Sequence, residues 1–592
     1  MTKALKPMLA ALFCVLALLL CGVMTHPVAE IGMVDDWSYI ESARVLSQTG
    51  HFVLNGWAAP MLGWQLLLGA LFMKLFGATY TVARASIFLV SLVTAFLVHR
   101  TLVRAGVNTW NATLGTLTLA LCPLFLTLAL SFMSDMGGIF CIALCLYACV
   151  HALQAESDRA VLGWLVFAAI SNDLAGTVRQ IGWLGVLVMF PCTVWLLRKR
   201  PRVVPVGAAL YLLSGVFIFG AMHWFQGQPY SVAELSAPLE ATWRHPLLIH
   251  LFSQLVKSLF LTIPMFLLPI LVGFAFAPSL RTRRNARFLG IGVLFFAAIG
   301  LALQYRHQLP TWVLPNLQTH FTEHGFDDWA PIRGTRPVVV PYGVQFVLTA
   351  VVVLLNLCFL GIAIPGRDSH AAPFESTVKR LPWRTLLVLT GPFTAAYLVL
   401  LAHRTYTSLL GIMDRYLVPL MLIALLLLLK LFQERVRPKL PLVSVVVLLL
   451  LAGFTVAGTH DVFTMYRARL EGINEMRDAG IPRASIDGGF EYNGMTQIEI
   501  KGHINDPGIR FPSNAYVPAH RSDPPNCPLF VGDKIPVVEP LYALSFNPNA
   551  CAGQSRFQPV VYHAWLGPHA VTIYIVNTGK SAAAGTANGA GN

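Results

Sequence analysis

Apolar runs of roughly 18–22 residues recur along this chain, each long enough to cross the ~30 Å core of a bilayer as a helix. The first covers 8–24 and is read as a retained helix, because no small-residue cleavage site follows it. Further runs fall near 83–103, 110–130, 136–154, 160–177, 180–197, 203–222, 251–276, 288–304, 343–363, 385–402, 415–432 and 440–458. Together they predict about thirteen spans. Residues 61–76 are apolar but short, with Lys74 inside, and read as a helix lying at the membrane interface. The pattern changes after 459. Phe463, Tyr466, Leu470, Ile473 and Met476 mark an amphipathic helix over 462–479. Turn signals follow at Asp487-Gly488-Gly489 and Asn493-Gly494, then a Pro-rich stretch over 507–540 and two β-prone runs at 560–562 and 571–576. The expected architecture is a polytopic α-helical membrane protein with a C-terminal α/β domain. The membrane module is 1–460, with a first external loop at 25–82. The soluble domain is 461–579, and the Gly/Ala/Ser-rich tail 580–592 is expected to be disordered.

Composition agrees. The chain has 592 residues, 56% of them hydrophobic and 12% charged, about half the charged fraction of a soluble protein. The net charge of +14 is assigned to loop Lys and Arg rather than to nucleic acid, because no basic stripe with interleaved aromatics occurs. Eight of the ten cysteines sit in apolar runs and read as small buried hydrophobes. Cys527 and Cys551 fall in the polar C-terminal part, where an oxidising compartment would permit a disulfide. No Cys-x-x-Cys or His-Glu-x-x-His spacing is present, and no obligatory metal or other cofactor is expected.

Charge fixes the orientation. Lys3 and Lys6 place the N-terminus inside, and alternation then places four basic clusters inside as well. They are Arg198–Arg202; Arg281, Arg283, Arg284 and Arg287; Lys379, Arg380 and Arg384; and Arg435, Arg437 and Lys439. An odd number of spans leaves the C-terminal domain outside.

On that topology the remaining polar groups converge on the external face. Asp35 and Asp36 open the first loop. Asp135 lies at the turn between the third and fourth spans. Asp173, Arg179 and Gln180 flank the turn between the fifth and sixth, and His403, Arg404, Tyr406, Asp414 and Arg415 precede the twelfth. Ionisable groups at a membrane edge are costly unless paired or functional. Taken singly, most have a structural reading. An Arg or Asp at a span end is usually an anchor, Asp135 could cap its helix, and Asp414-Arg415 could be an ion pair. Asp35-Asp36 has the weakest such reading, because adjacent carboxylates repel. A carboxylate able to take a hydroxyl proton, with arginines able to hold a phosphate, suits group transfer from a phosphate-linked donor. A transporter or flippase of lipid-linked saccharides is the alternative. It would place charges near the bilayer midplane and often show repeated halves. An envelope scaffold leaves Asp35-Asp36 without a role.

The run Asp35-Asp36-Trp37-Ser38-Tyr39, with Glu41 and Ala43-Arg44 after it, resembles the first-loop motif of the GT-C superfamily of polyprenyl-phosphate-dependent glycosyltransferases. The resemblance is nearest to the bacterial aminoarabinose transferases and protein O-mannosyltransferases. Pro60, Trp64, Leu75-Phe76-Gly77 and Ala83-Arg84 resemble the segments that follow. Phe132-Met133-Ser134-Asp135 resembles the second acidic motif, and Arg415-Tyr416-Leu417-Val418-Pro419 the late Arg-Tyr-Leu-x-Pro motif. The resemblance implies an inverting transferase of the bacterial inner membrane with a periplasmic active site and C-terminal domain. Its partners would be a polyprenyl-phosphate sugar donor and a lipid, glycan or protein hydroxyl acceptor. Asp35 would be the general base; Asp36, Tyr39, Glu41 and Asp135 would shape the site; Arg179 and Arg415 would bind the donor phosphate. Ala58-Ala59 stand where aminoarabinose transferases tend to carry a Lys, which weakens the link to that sugar.

Overall fold

A computed structural model describes residues 2–57, 61–232, 252–315, 320–326, 332–364, 381–407, 412–519 and 521–580. Pro60, Lys379, Arg380 and tail residues 581–592 lie outside the described residues, as do the side chains of Arg404 and Tyr406.

The apolar runs fold as helices. The N-terminal part comprises α1 (Thr2–Met24), α2 (Asp36–Thr49), α3 (Gly63–Phe76), α4 (Tyr80–Arg104), α5 (Thr109–Ala120), α6 (Pro123–Ala129), α7 (Ser134–Gln154) and α8 (Asp158–Gly176). Among the described residues nine helices are long and apolar enough to cross a membrane, or eleven if each of two bent pairs is one span. The chain is therefore a multi-span membrane protein. The bent pairs are α5 with α6, at 66°, and Phe252–Phe266 with Leu268–Phe274, at 91°. Pro123 and Pro269 stand in the first turn after each break, where the missing N–H costs no intrahelical bond but the preceding helix cannot continue. The expected spans 160–177 and 180–197 correspond to α8 and to Gln180–Leu196, and these two stand outside the eleven. α8 carries Asp158, Arg159 and Asp173. The second segment is short, beginning as the tight turn Gln180–Trp183 and widening at Gly185–Met189.

Several basic residues at helix ends bond to neighbouring segments. Arg435 donates to the carbonyls of Ile362 and Ala363, and Arg284 to that of Ile364. Arg200 pairs with Asp158 at 2.9 Å.

The expected boundary at 461 falls inside a helix. The last span and the amphipathic segment form one continuous helix, Leu442–Asp478. Gly458-Thr459-His460-Asp461 joins them; these are weak helix formers, but there is no Pro among them, and a single glycine costs about 1 kcal/mol without ending a helix. Beyond it, β1 (Ile486–Asp487), β2 (Tyr542–Ser545), β3 (Val560–His563) and β4 (Ala570–Asn577) form a four-stranded sheet of order β1-β2-β4-β3, with β1 parallel to β2. β4 runs antiparallel to both β2 and β3, so both β-prone runs are strands. Cys527 and Cys551 are disulfide-bonded across a separation of 24 residues.

This domain packs on the first loop rather than hanging clear of it. Trp37 of α2 is fully buried, edge-on to Phe490 at 5.6 Å and beside Trp57 at 5.5 Å. Gly494 lies beneath it, where a Cβ would come within 2.4 Å of the Trp37 ring. Glu491 is buried, accepts from Tyr466 Oη at 2.8 Å and Arg469 Nη2 at 2.9 Å, and takes the Val34 N–H at 3.3 Å. The segment carrying Asp35 is thus clamped by residues more than four hundred positions away.

Candidate active site

The two adjacent carboxylates have different environments. Asp36 opens α2 and is fully buried. Arg84 grips it at 2.8 Å and 3.2 Å, while the backbone N–H groups of Met33 (2.7 Å) and Phe132 (3.3 Å) fill its remaining lone pairs. Arg84 also donates to the carbonyls of Ala29 and Ile31, each at 2.7 Å. Asp36 therefore has no oxygen left for chemistry. It ties the first loop to α4 and to the turn before α7.

Asp35, at the N-terminal boundary of α2, is more open, with its side chain 15% exposed. Its Oδ1 accepts from the Trp57 indole at 2.9 Å and its Oδ2 faces Arg415 Nη2 at 3.4 Å. Tyr39 lies one helical turn further along α2, on the same face. Burial first, and then the Asp35 carboxylate beside it, hold its phenol well above the usual range. Tyr39 therefore stays protonated as a donor.

Arg415 and Arg179 complete the cluster. Arg415 follows Met413-Asp414 in the tight turn Asp414–Leu417, and Arg179 lies between α8 and the next helical turn. Arg179 pairs with Asp135 through Oδ1. Both guanidinium groups lie over the Tyr416 ring, at 4.7 Å and 5.4 Å. Tyr397 holds the Tyr416 carbonyl at 2.8 Å. In this cluster three atoms are buried without a hydrogen-bond partner among the described residues: Arg415 Nε, Arg415 Nη1 and Asp135 Oδ2. Buried polar atoms rarely stay unpaired unless a ligand or water answers them.

Asp35, Tyr39, Asp135, Arg179 and Arg415 are thus brought together. Asp36 is not among them, and neither is Glu41. Glu41 turns to the opposite face of α2 and takes both donors of Arg44, at 2.7 and 2.8 Å. Asp173 stands apart, bonded to Ser214. Asp135 does not cap its helix; Met133 holds that position. Asp414 and Arg415 do not pair through their side chains. Asp414 instead accepts the backbone N–H groups of His320, Phe321 and Arg415. Among the described residues no group of three or more His, Cys, Asp or Glu stands together as metal ligands.

Trp57 and Tyr397 were not found from sequence, and Tyr416 was named only within the late Arg-Tyr-Leu-x-Pro motif, with no role. Tyr416 adjoins Arg415, and Trp57 lies in the same loop as Asp35, but an indole N–H aimed at a carboxylate has no one-dimensional signature. Lys534 of the C-terminal domain stands 5.4 Å above the Trp57 ring, so that domain also touches the group that holds Asp35.

Two carboxylates, two arginines and a tyrosine thus stand together on a polytopic helical scaffold and form the candidate site. No family model matches the chain, and no curated protein does. Solved structures are similar in fold. ArnT from Cupriavidus metallidurans bound to undecaprenyl phosphate is 14% identical, over 81% of this chain and 83% of that one, with a TM-score of 0.36. The archaeal oligosaccharyltransferase AglB from Archaeoglobus fulgidus, in complex with an inhibitory peptide and a dolichol-phosphate, is 14% identical over 79% and 58% (TM-score 0.35). The Saccharomyces cerevisiae protein O-mannosyltransferase Pmt1-Pmt2 complex bound to the sugar donor is 17% identical over 38% and 33% (TM-score 0.30). The chain thus spans a third of the length of the last of these.

Proposed function

We propose that this protein is a glycosyltransferase of the bacterial inner membrane. It moves a sugar from a polyprenyl-phosphate carrier to a hydroxyl acceptor at the periplasmic face. The observation that carries the reading is Arg415: a buried guanidinium, 3.4 Å from Asp35, with two N–H donors that no described group accepts.

Asp35 takes the proton of the acceptor hydroxyl as its oxygen attacks the anomeric carbon. The bond from that carbon to the carrier phosphate breaks on the opposite side, so the configuration inverts. The electron pair leaves with the phosphate oxygen, which Arg415 and Arg179 receive. Charge bookkeeping supports this order. At rest two carboxylates balance two guanidinium groups. When Asp35 is protonated the cluster gains one net positive charge, at the moment the leaving phosphate gains a negative one. Trp57 fixes the orientation of the base through Oδ1, leaving Oδ2 beside Arg415. Asp135 holds Arg179, and Asp36 holds the loop.

The test compares wild type and Asp35→Asn in membrane vesicles given labelled polyprenyl-phosphate sugars and the native envelope fraction. Transfer by wild type, and transfer at least about a hundredfold slower by the equally abundant variant, is the expected result for loss of a general base. Movement of a lipid-linked sugar across the bilayer by both proteins, with transfer by neither, would replace the transferase with a flippase.

A further inference from the structure

A second cavity of about 280 Å³ lies between the first loop and the C-terminal domain. It is distinct from the site above. At 3.6 residues per turn, Ile40, Glu41 and Arg44 lie on the face of α2 opposite Asp35 and Tyr39. Those three residues line the cavity together with Ile473, Asn474, Arg483, Tyr492 and Glu499 of the C-terminal part.

The chemistry of the lining narrows the ligand. Two guanidinium–carboxylate pairs flank the groove: Arg44 with Glu41 at 2.7 Å and Arg483 with Glu499 at 2.7 Å. Each is partly exposed and offers donors and acceptors side by side. The other charges cancel. Glu491 is answered from behind by Arg469, and Glu30, bonded to the Tyr80 and Thr81 N–H groups, is balanced by the exposed Arg477. The groove therefore carries no net charge to select an anion or a cation. The Tyr492 side chain is buried, its hydroxyl meets no partner among the described residues, and burial pushes its phenol up, so it remains a donor at neutral pH. Ile40, Met73 and Ile473 supply an apolar floor. The volume is just below the range of drug-sized pockets, too small for a helix or a folded segment. A small, neutral, hydroxyl-rich molecule with apolar C–H faces meets all of these conditions.

We propose that this groove is a second saccharide-binding site, taking one or two neutral sugar units on the face of α2 away from Asp35. A glycan held there would lie against Glu491, which clamps the Asp35 segment through the Val34 N–H. The proposal goes beyond the transferase reading and does not need it, because the readout is binding.

Full-length protein in detergent is titrated with cellobiose, maltose, mannobiose and arabinobiose by saturation-transfer NMR and calorimetry, with glucuronic acid and inorganic phosphate as anionic controls. At least one disaccharide should saturate with a Kd of about 1 mM or tighter. Asn474→Trp, which fills the groove from an exposed position, and Arg483→Gln, which breaks one pair without adding bulk, should each weaken it at least tenfold. Asp35→Asn and Arg415→Ala should bind as wild type. Melting curves establish that each variant is folded, and either groove variant alone suffices for the comparison. The proposal falls if no disaccharide binds wild type, if the anions bind better to Arg415→Ala, in which the phosphate-binding cluster is disabled, or if folded groove variants bind normally. It falls equally if Asp35→Asn or Arg415→Ala weakens binding, since the sugar would then occupy the catalytic cluster. Groove binding with no transfer in any vesicle assay would leave this site standing and remove the transferase reading.

Discussion

Asp35 and Asp36 are neighbours in sequence, yet replacing each by asparagine should have opposite consequences. Asp36 answers Arg84, whose side chain is only 3% exposed. Removing one charge from a buried pair strands the other, at a cost of about 3–5 kcal/mol. Arg84 keeps the carbonyls of Ala29 and Ile31, which argues for the lower end, about 3 kcal/mol. At about 1.4 kcal/mol per decade that is a loss of roughly a hundredfold in the folded-to-unfolded ratio, against a total stability of about 5–15 kcal/mol. Asp35→Asn leaves a carbonyl for the Trp57 N–H and removes only the 3.4 Å contact to Arg415, so its stability cost should stay near 1 kcal/mol. The assay is paired. Monodisperse protein remaining after a temperature ramp in detergent reports folding, and transfer per folded molecule reports chemistry. Asp36→Asn should lose thermal resistance and keep activity in whatever folds; Asp35→Asn should keep thermal resistance and lose activity. An Asp36→Asn protein that melts with wild type but is inactive would refute the division of labour. So would an Asp35→Asn protein as labile as Asp36→Asn.

Four further outcomes are expected. Trp57→Phe keeps the aromatic packing and loses one N–H to a charged acceptor, an interaction worth about 1.5–3 kcal/mol; kcat should fall at least about tenfold with little change in donor KM, and a pure KM effect would contradict a positioning role. Arg415→Ala should raise donor KM at least about tenfold, the same energy converted, while the melting temperature moves little; normal donor kinetics would remove its phosphate role. A cysteine at Arg281 or Arg287 should resist impermeant reagents added from the periplasm, and labelling there would overturn the topology. Deletion of 462–592 should destabilise the first loop, because it uncovers Trp37 and removes Arg469 and Glu491; a truncated protein with wild-type melting and sugar transfer would show that the clamp is dispensable.

What could be read from the chain is what local composition controls. A run of apolar residues must become a helix in lipid, since every backbone N–H and C=O has to be satisfied internally. The helices therefore stand where hydropathy puts them, and the basic ends at Arg284 and Arg435 meet neighbouring helix ends. The same alternation led to the expectation that Asp35, Asp135, Arg179 and Arg415 share one face, and in the structure these four side chains lie together. The β-prone runs near 560 and 571 became paired strands for an equally local reason, their alternating branched residues.

Partner choice was decided only in three dimensions. Asp35 and Asp36 are chemically identical in sequence, and their roles separate because one helical step of rotation turns Asp36 toward Arg84 and leaves Asp35 toward Trp57 and Arg415. Glu41 matches the first-loop pattern yet belongs to Arg44, on the far face of the same helix. The C-terminal domain has the composition of an appendage, but Glu491 reaches Val34 and Phe490 covers Trp37. Hydropathy and charge act on a residue through its immediate chain neighbours and the membrane, so they are written in order along the sequence. A hydrogen bond or ion pair depends on distance and direction between groups hundreds of residues apart, and those are set only when the helices pack.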